Sequence, residues 1–239
     1  MKSFVIGRNP VLSVLKNKDI TVLFVKIDKS ANKDEKISEI IALCKNKNVS
    51  VEFIDRHNLK EFSQNQGVIA QITKDSSFDI EDIILNNPFI VILKEIVYKQ
   101  NFGAIIRTCD IAGVNLLVLP KKNKNLHLDS EVIRISEGSS LNMNFLYTNL
   151  FEFIDKLKLF NVSIVGIENK GEDIYFQNNL KGAVAFLFGS ESNSISEPLA
   201  KRCNKILKIP QSTKSTLNSL NIASAVSIVV YEKVRQDSI

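Results

Sequence analysis

Residues 88–120, PFIVILKEIVYKQNFGAIIRTCDIAGVNLLVLP, are the stretch of sequence that decides the fold. Phe89–Leu93 is a continuous apolar run of the kind found in buried strands. Phe102–Ala112 has helical spacing and is followed by a glycine, which favours a helix end. Leu116–Leu119 is a second apolar run, and it ends at a proline. This order of strand, helix and strand predicts a parallel α/β sheet with helices on both faces.

The same rhythm continues towards the end of the chain. Three further apolar runs are predicted to be strands, two segments between them are predicted to be helices, and Ser219–Val234 is predicted to be a long final helix. Asn101 is expected to cap the helix that it precedes, whereas Asn221 falls inside the first turn of the final helix. The strands are Val162–Ile167, Ala183–Phe188 and Lys205–Ile209, and the helices are Leu150–Leu159 and Pro198–Cys203.

The first 72 residues have the pattern of a smaller α/β unit, with three predicted strands and at least two helices. Residues 74–87 lose the apolar continuity and gain turn-forming residues, so we expect a linker there. The predicted organisation is therefore a first domain at 1–73, a linker at 74–87 and a second domain at 88–239.

Composition excludes several classes of protein. Of 239 residues, 44% are hydrophobic and 24% are charged, which is ordinary for a folded globular chain. The net charge of +5 comes from 25 Lys and six Arg against 26 acidic residues, and it permits nucleic-acid binding without establishing it. Three scattered cysteines indicate neither a disulfide framework nor a zinc site. Because no apolar run approaches the length that spans a bilayer, we expect a cytoplasmic protein without a membrane anchor.

In a parallel sheet, ligands bind beyond the carboxyl ends of the strands. The loop after Phe89–Leu93 leads to Arg107, which is placed to aim a guanidinium at a cleft; the alternative is an ion pair with Asp110 on an exposed face. The loop after Ala183–Phe188 is polar and is entered through a glycine, and it is either a ligand cradle or a solvated connection. The loop after Lys205–Ile209 is rich in hydroxyls and amides.

Several common chemistries lack their signatures in this sequence. The glycines follow neither the dinucleotide-binding pattern nor the P-loop pattern. His57 and His127 are isolated, so a catalytic triad or a Cys/His pair is not supported. The remaining possibilities are metal-free chemistry by Arg, Glu, Ser and Asn, or binding alone.

Three segments, in this order, resemble the motifs of the SpoU (TrmH-like) branch of the SPOUT RNA 2′-O-methyltransferases. They are residues 101–107 (NFGAIIR), 189–191 (GSE), and 209–210 (IP) followed by 219–232 (SLNIASAVSIVVYE). Residues 6–11 (IGRNPV) and 66–70 (QGVIA) resemble the substrate-binding domain of this branch, and residues 135–139 (ISEGS) resemble its Ser-x-Gly loop. The two-part layout is most similar to that of the bacterial 23S rRNA guanosine 2′-O-methyltransferases.

The resemblance implies that residues 88–239 form a SPOUT methyltransferase domain with a deep trefoil knot, which binds S-adenosylmethionine and forms a homodimer. It further implies that residues 1–73 bind structured RNA, with rRNA favoured over tRNA, and that no metal is needed. The counterpart of Arg107 in this family is assigned as the base; because a guanidinium is a poor base, the alternative is that Arg107 grips an RNA phosphate while the proton leaves with water. The implied catalytic residues are Asn101, Arg107, Glu191, Ser219 and Asn221; the implied donor-binding residues are Leu187, Gly189, Ile209, Gln211 and Leu220; the candidate phosphate contacts are Arg8, Lys16 and Arg56.

The chain departs from the pattern of the family in two motifs and in the loop between Pro210 and Asn221, which is longer than usual. Residues 98–101 read YKQN where the family usually has Asp-Pro-x-Asn, and residues 191–194 read ESNS where it usually has Glu-Gly-x-Gly. The principal hypothesis is ribose methylation of 23S rRNA. The alternatives are a tRNA ribose methyltransferase, or an RNA-binding relative with weakened donor binding; the basic charge and the RNA-domain segments disfavour a small-molecule enzyme.

Overall fold

The computed structural model of the protein describes residues 2–18, 20–31, 34–59, 65–74, 78–190, 193–212 and 219–239. Across these ranges, no helix is both long and apolar enough to cross a membrane. The strands are β1 (Lys2–Ile6), β2 (Ile20–Asp28), β3 (Ser50–Ile54), β4 (Val68–Lys74), β5 (Phe89–Leu93), β6 (Leu116–Pro120), β7 (Phe145–Thr148), β8 (Ser163–Ile167), β9 (Asp173–Ile174), β10 (Val184–Phe188) and β11 (Lys205–Lys208). The α-helices are α1 (Arg8–Lys16), α2 (Glu35–Asn46), α3 (Ile80–Leu85), α4 (Lys99–Ile111), α5 (Ser130–Ile135), α6 (Leu150–Leu159), α7 (Glu197–Ala200) and α8 (Ile222–Asp237).

The chain divides into two compact units. The first comprises residues 1–77 together with 125–142, and the second comprises residues 78–124 together with 143–239. The sequence places residues 125–142 in the second predicted domain, but in the structure they pack with the first unit. The functional roles expected for the two domains stay predictions.

The second unit contains the predicted parallel sheet. Its strands follow the order β7-β6-β5-β10-β8-β11-β9, and every neighbouring pair is parallel. Strand β10 lies between β5 and β8, so that Phe188 is opposite Leu93 on one side and Ile167 on the other. The predicted α/β class with a parallel sheet is confirmed.

Helices cover both faces of this sheet, which explains why its central strands are apolar throughout. All five residues of β5 and all five of β10 are buried. One face packs against α6, through Ile154 and Leu157, in a cluster that includes Ile90 and Ile92. On α4, Phe102 packs edge to face against Phe145 of β7 at 6.2 Å. Continuous burial of this kind favours β-branched and large apolar side chains over the alternating pattern of a half-exposed sheet.

A helix lies inside the segment that was expected to be an irregular linker. Asp79 caps α3 by accepting a hydrogen bond from the backbone N–H of Glu81 at 2.8 Å. Ile84 is 2% exposed and belongs to the core of the second unit. Ile80 and Ile83 pack against the same core, so the helical spacing of Ile80, Ile83 and Ile84 was a signal that the linker prediction overlooked.

The first unit is built on a four-stranded sheet of order β1-β4-β2-β3, in which β4 is antiparallel to β1 and β2. Strand β1 was missed in the sequence. The core of this unit includes Ile133 and Leu141 from the inserted residues 125–142, together with Leu15 of α1. A Cβ atom at Gly138, which has φ of +92°, would lie 2.7 Å from the Cβ of Ser13. Glycine is therefore required at this close approach between the insert and α1.

Because Ile133 of the inserted residues 125–142 lies in the core of the first unit, a cavity at this position should destabilise that unit. Ile133→Ala is expected to destabilise the first unit by about 2–5 kcal/mol, because a fully buried isoleucine is replaced by a much smaller side chain. Hydrogen–deuterium exchange of the intact protein should become faster in β1, β2 and β4. The matched control is Leu159→Ala, whose side chain is 82% exposed. Faster exchange restricted to β5 and β10 would contradict this assignment of the insert.

Candidate active site

A cavity of about 360 Å³ lies at the carboxyl ends of three strands of the second unit. The residues that follow β8, β10 and β11 supply most of its walls, and the loop before α8 with the first turn of that helix supplies the rest. Its lining residues are Ile167, Glu168, Asn169, Lys170, Phe188, Gly189, Ser190, Asn193, Ser194, Ile209, Ser219, Leu220, Ile222 and Ala225. Its position agrees with the rule that ligands of parallel sheets bind outside the carboxyl ends of the strands.

The loop after β10 folds back tightly on one side of this cavity. The backbone N–H of Ser190 donates to the carbonyl of Asn193 at 2.8 Å, and the N–H of Asn193 donates to the Ser190 hydroxyl at 2.9 Å. A Cβ atom at Gly189 would lie 2.7 Å from the Asn193 carbonyl oxygen, so this turn requires glycine there. Among the described residues of the loop, Ser190, Asn193 and Ser194 all avoid positive φ. Serine in place of a family glycine at position 194 is therefore accommodated without backbone strain.

Two charged side chains brace the same loop from neighbouring strand ends. Glu168, directly after β8, accepts a short hydrogen bond from the backbone N–H of Ile195. Lys94, directly after β5, donates to the carbonyl of Ser194 at 2.7 Å. Both contacts satisfy backbone groups of the loop and fix its course along the cavity.

A second cavity, of about 380 Å³, opens where α4 and α8 begin. Tyr98, Gln100 and Asn101 line it on one side. Residues 219–222 line it on the other. The side-chain N–H of Asn221 donates to the side-chain oxygen of Asn101 at 3.0 Å. This hydrogen bond joins two helix starts that are 120 residues apart in sequence.

The capping roles of the two asparagines are the reverse of those predicted. Asn101 lies inside the first turn of α4, which begins at Lys99. Asn221 is itself the N-cap of α8, and its side-chain oxygen accepts from the Ala223 N–H at 2.8 Å. The predictions were wrong because each helix begins three residues away from its expected start. The Asn221 amide thus uses its oxygen for the helix and its N–H group for Asn101.

The structure brings six of the ten predicted catalytic and donor-binding residues to these two cavities. Gly189, Ile209 and Leu220 line the first, Asn101 and Asn221 line the second, and Ser219 and Leu220 line both. Leu187 is fully buried in the core of the sheet and does not line either cavity. Glu191 lies outside the described residues.

Arg107 and Gln211 lie outside the walls of both cavities. Arg107 is exposed on α4. A hydrogen bond of 3.2 Å between the hydroxyls of Thr108 and Ser227 joins that helix to α8. Gln211 is exposed and donates to the side chain of Asn169 at 3.1 Å. Its contribution to the first cavity is therefore indirect, through a lining residue.

Sequence reasoning missed the loop after β8. Glu168, Asn169 and Lys170 line the first cavity and include the carboxylate that braces the loop after β10. The rule about strand ends applies equally to Val162–Ile167 and would have singled out this loop. These three residues form no recognisable motif, since Glu, Asn and Lys are ordinary polar surface residues, and the loop was therefore overlooked.

The three cysteines are poor nucleophiles. Burial raises the pKa of the Cys44 thiol to about 11, and burial also raises the pKa of Cys203 to about 11. The pKa of Cys109 is raised further by burial and by the nearby Asp110 carboxylate. Each thiol stays protonated at neutral pH, and the thiolate is the reactive form.

Residues 88–231 match the sequence profile of the SpoU rRNA Methylase family. The chain belongs to this family. Residues 4–78 match a second profile, described as RNA 2′-O ribose methyltransferase substrate binding. The family resemblance noted from the three motifs is thereby confirmed, and the match covers most of the second unit and nearly all of the continuous part of the first.

Curated relatives match this SpoU family member over most of its length. It is 31% identical to the 23S rRNA (guanosine-2′-O-)-methyltransferase RlmB of Blochmanniella floridana, over 99% of this chain and 96% of the relative. It is 27% identical to RlmB of Escherichia coli strain K12, over 86% of this chain and 87% of the relative.

Solved structures share the fold of this chain. An RNA 2′-O ribose methyltransferase superposes with a TM-score of 0.83 at 19% identity, over 100% of this chain and 90% of that one. The SpoU methyltransferase AviRb from Streptomyces viridochromogenes, solved in complex with AdoMet, has a TM-score of 0.83 at 20% identity, over 99% of this chain and 91% of that one.

The two functions of the Asn221 amide can be separated by substitution. Asn221→Ala is expected to cost about 0.5–2 kcal/mol of stability because α8 loses its cap. Asn221→Asp keeps the capping oxygen and loses the hydrogen bond to Asn101, so it should be more stable than the Ala variant and less stable than wild type. Urea unfolding followed by far-UV circular dichroism measures this difference. Equal stability of the Ala variant and the wild type would contradict the capping role.

Proposed function

We propose that this protein transfers a methyl group from S-adenosylmethionine to the 2′-hydroxyl of a guanosine ribose in 23S rRNA. The relatives named RlmB carry this activity in their names and match nearly the whole chain. The observation that carries the proposal is the adjacency of the two cavities, which share Ser219 and Leu220. One cavity has the character of a donor site, and the other presents amides to an acceptor.

The lining of the first cavity fits the methyl donor. Its volume lies within the usual range for small-molecule sites, roughly 300–1,000 Å³. Ile167, Phe188, Ile209 and Ile222 give it the apolar walls that suit an adenine ring, and the exposed backbone of the loop after β10 offers polar groups for orientation. The absence of a side chain at Gly189 lets this loop close, as the 2.7 Å approach to Asn193 requires.

When bound, S-adenosylmethionine supplies a methyl group on a positively charged sulfur, which is already activated for transfer without a metal ion. The protein then has to align the ribose hydroxyl, whose proton leaves to water as its oxygen takes up the methyl group and the carbon–sulfur bond breaks to release the neutral thioether. Asn101 and Asn221 are fixed to each other by their hydrogen bond, so they are suited to orient the acceptor. Ser219, shared by the two cavities, lies between donor and acceptor in this proposal.

Arg107 has two candidate roles, as the base, which is the role assigned to its counterpart in this family, or as a phosphate anchor. A guanidinium gives up its proton less readily than any other cationic side chain, and its planar donors match phosphate geometry. Arg107 is also exposed on α4, outside both cavities. We therefore give it the phosphate contact. Glu191 is supported by the motif match alone. We propose that it completes the site from the loop after β10.

RNA binding is proposed for the first unit, and its three candidate residues differ in suitability. Arg8 is half-buried and donates to the Gln66 carbonyl at 3.0 Å and to Asp34 at 2.6 Å, so its guanidinium supports the fold. Lys16 pairs with Glu39 at 2.7 Å on the surface. Arg56 is exposed and is the best suited of the three to contact phosphate.

A homodimer and a cytoplasmic location are also part of the proposal. Helices α4 and α8 pack together through Thr108 and Ser227, and large apolar side chains remain exposed on them. Ile111 is 65% exposed and Tyr231 is 46% exposed. Exposed apolar residues on two adjacent helices are consistent with a second copy covering this surface. The trefoil knot of the family is proposed for the second unit on the same resemblance.

Arg107→Ala tests the proposed role of the exposed arginine. It is expected to abolish transfer of labelled methyl groups to 23S rRNA transcripts, since the phosphate contact aligns the ribose, while calorimetric binding of S-adenosylhomocysteine stays unchanged. Arg202→Ala is the matched control, because this arginine pairs with Asp155 away from both cavities. Wild-type rates for Arg107→Ala would contradict the assignment.

The same assay separates the alternatives. A folded protein that binds rRNA but not S-adenosylhomocysteine would indicate an RNA-binding relative without donor binding. Methyl transfer to tRNA and not to 23S rRNA would replace the proposed substrate.

A further inference from the structure

The second cavity contains an exposed aromatic ring beside the proposed acceptor amides. Tyr98 is 59% exposed and lines this cavity together with Gln100, Asn101 and Asn221. Among the exposed Phe and Tyr side chains of the described residues, Tyr98 has the largest exposed fraction. Leu220, on the opposite wall, is 42% exposed.

Tyr98 stands at a position where local stability favours a different residue. It is the N-cap of α4, and its side chain makes no capping hydrogen bond. Asp, Asn, Ser or Thr at an N-cap would stabilise the helix by about 1 kcal/mol. The family usually has aspartate at this point of the motif, so this chain gives up a cap and gains a ring at the mouth of the cavity. Such a departure from local preference is expected where a residue serves a ligand.

The composition of the cavity matches one class of ligand. An aromatic face binds nucleobases by stacking, and side-chain amides pair with the hydrogen-bonding edge of a base. The volume of about 380 Å³ is large enough for a base with part of its ribose. The hydrogen bond between Asn101 and Asn221 fixes the polar wall of the cavity. The edge of a base stacked on Tyr98 would therefore meet side-chain amides that are already held in place.

We propose that this cavity is a nucleobase subsite, in which the ring of Tyr98 stacks on a base of the substrate RNA, at or next to the methylated nucleotide. The proposal rests on the proposed RNA methylation and makes Tyr98 a positioning residue for the RNA. In this proposal, a side chain that caps the helix is replaced by one that stacks on a base. That exchange explains why residues 98–101 (YKQN) depart from the Asp-Pro-x-Asn pattern.

Substitution in the full-length protein tests the stacking contact. Tyr98→Ala is expected to lower kcat/KM for 23S rRNA transcripts by roughly 5- to 100-fold, the range found when aromatic stacking partners of single bases are removed. Tyr98→Phe keeps the ring and should remain within about twofold of wild type. Binding of S-adenosylhomocysteine should be unchanged in both variants. The matched control is Phe160→Ala, whose exposed ring lies outside both cavities.

Photocrosslinking gives a second readout that does not depend on activity. Irradiation of the wild-type protein with 23S rRNA transcripts, followed by digestion and mass spectrometry, should yield a nucleotide adduct on Tyr98. An unchanged kcat/KM in Tyr98→Ala, equal losses in Tyr98→Phe and Tyr98→Ala, or adducts confined to other residues would overturn the subsite. A wild-type protein that forms the Tyr98 adduct but transfers no methyl group would instead overturn the proposed reaction and support the subsite.

Discussion

The position of β10 between β5 and β8 is the constraint on which the rest of the second unit depends. Because all neighbouring strands are parallel, this insertion brings the carboxyl ends of β5, β10, β8 and β11 to one edge of the sheet. Each strand end then delivers a loop to the same place. The cavity assigned to the methyl donor is a consequence of that convergence, and the loop after β10 is braced by side chains from the strands on either side, Glu168 and Lys94.

The side-chain amides of Asn101 and Asn221 lie in the second cavity, next to this edge of the sheet. The hydrogen bond between Asn101 and Asn221 ties the start of α4 to the start of α8, and the capping bond to Ala223 fixes the orientation of Asn221. Polar groups that are held by the backbone in this way need little reorganisation when a substrate binds. The altered glycine position at Ser194 does not disturb this arrangement, because Ser194 avoids positive φ and Ser190 donates to the carbonyl of Asn193.

The parallel sheet and much of the candidate site were predictable from the sequence for physical reasons. A strand buried on both faces, such as Phe89–Leu93, leaves a continuous apolar run that is easily recognised. Short elements were harder to recognise, as with the six-residue helix α3 and the two-residue strand β9. The association of residues 125–142 with the first unit depends on long-range contacts such as that of Gly138 with Ser13, which no local pattern encodes. The exchanged capping roles of Asn101 and Asn221 show that helix boundaries are harder to predict than helices themselves.

Ribose methylation in the cell tests the central claim most directly. Site-by-site mapping of 2′-O-methylation in 23S rRNA, from cells with and without the gene, should show one guanosine that loses its methyl group when the gene is deleted. The wild-type gene should restore the modification, and the Arg107→Ala variant should not. Identical methylation profiles in the two strains would contradict the account.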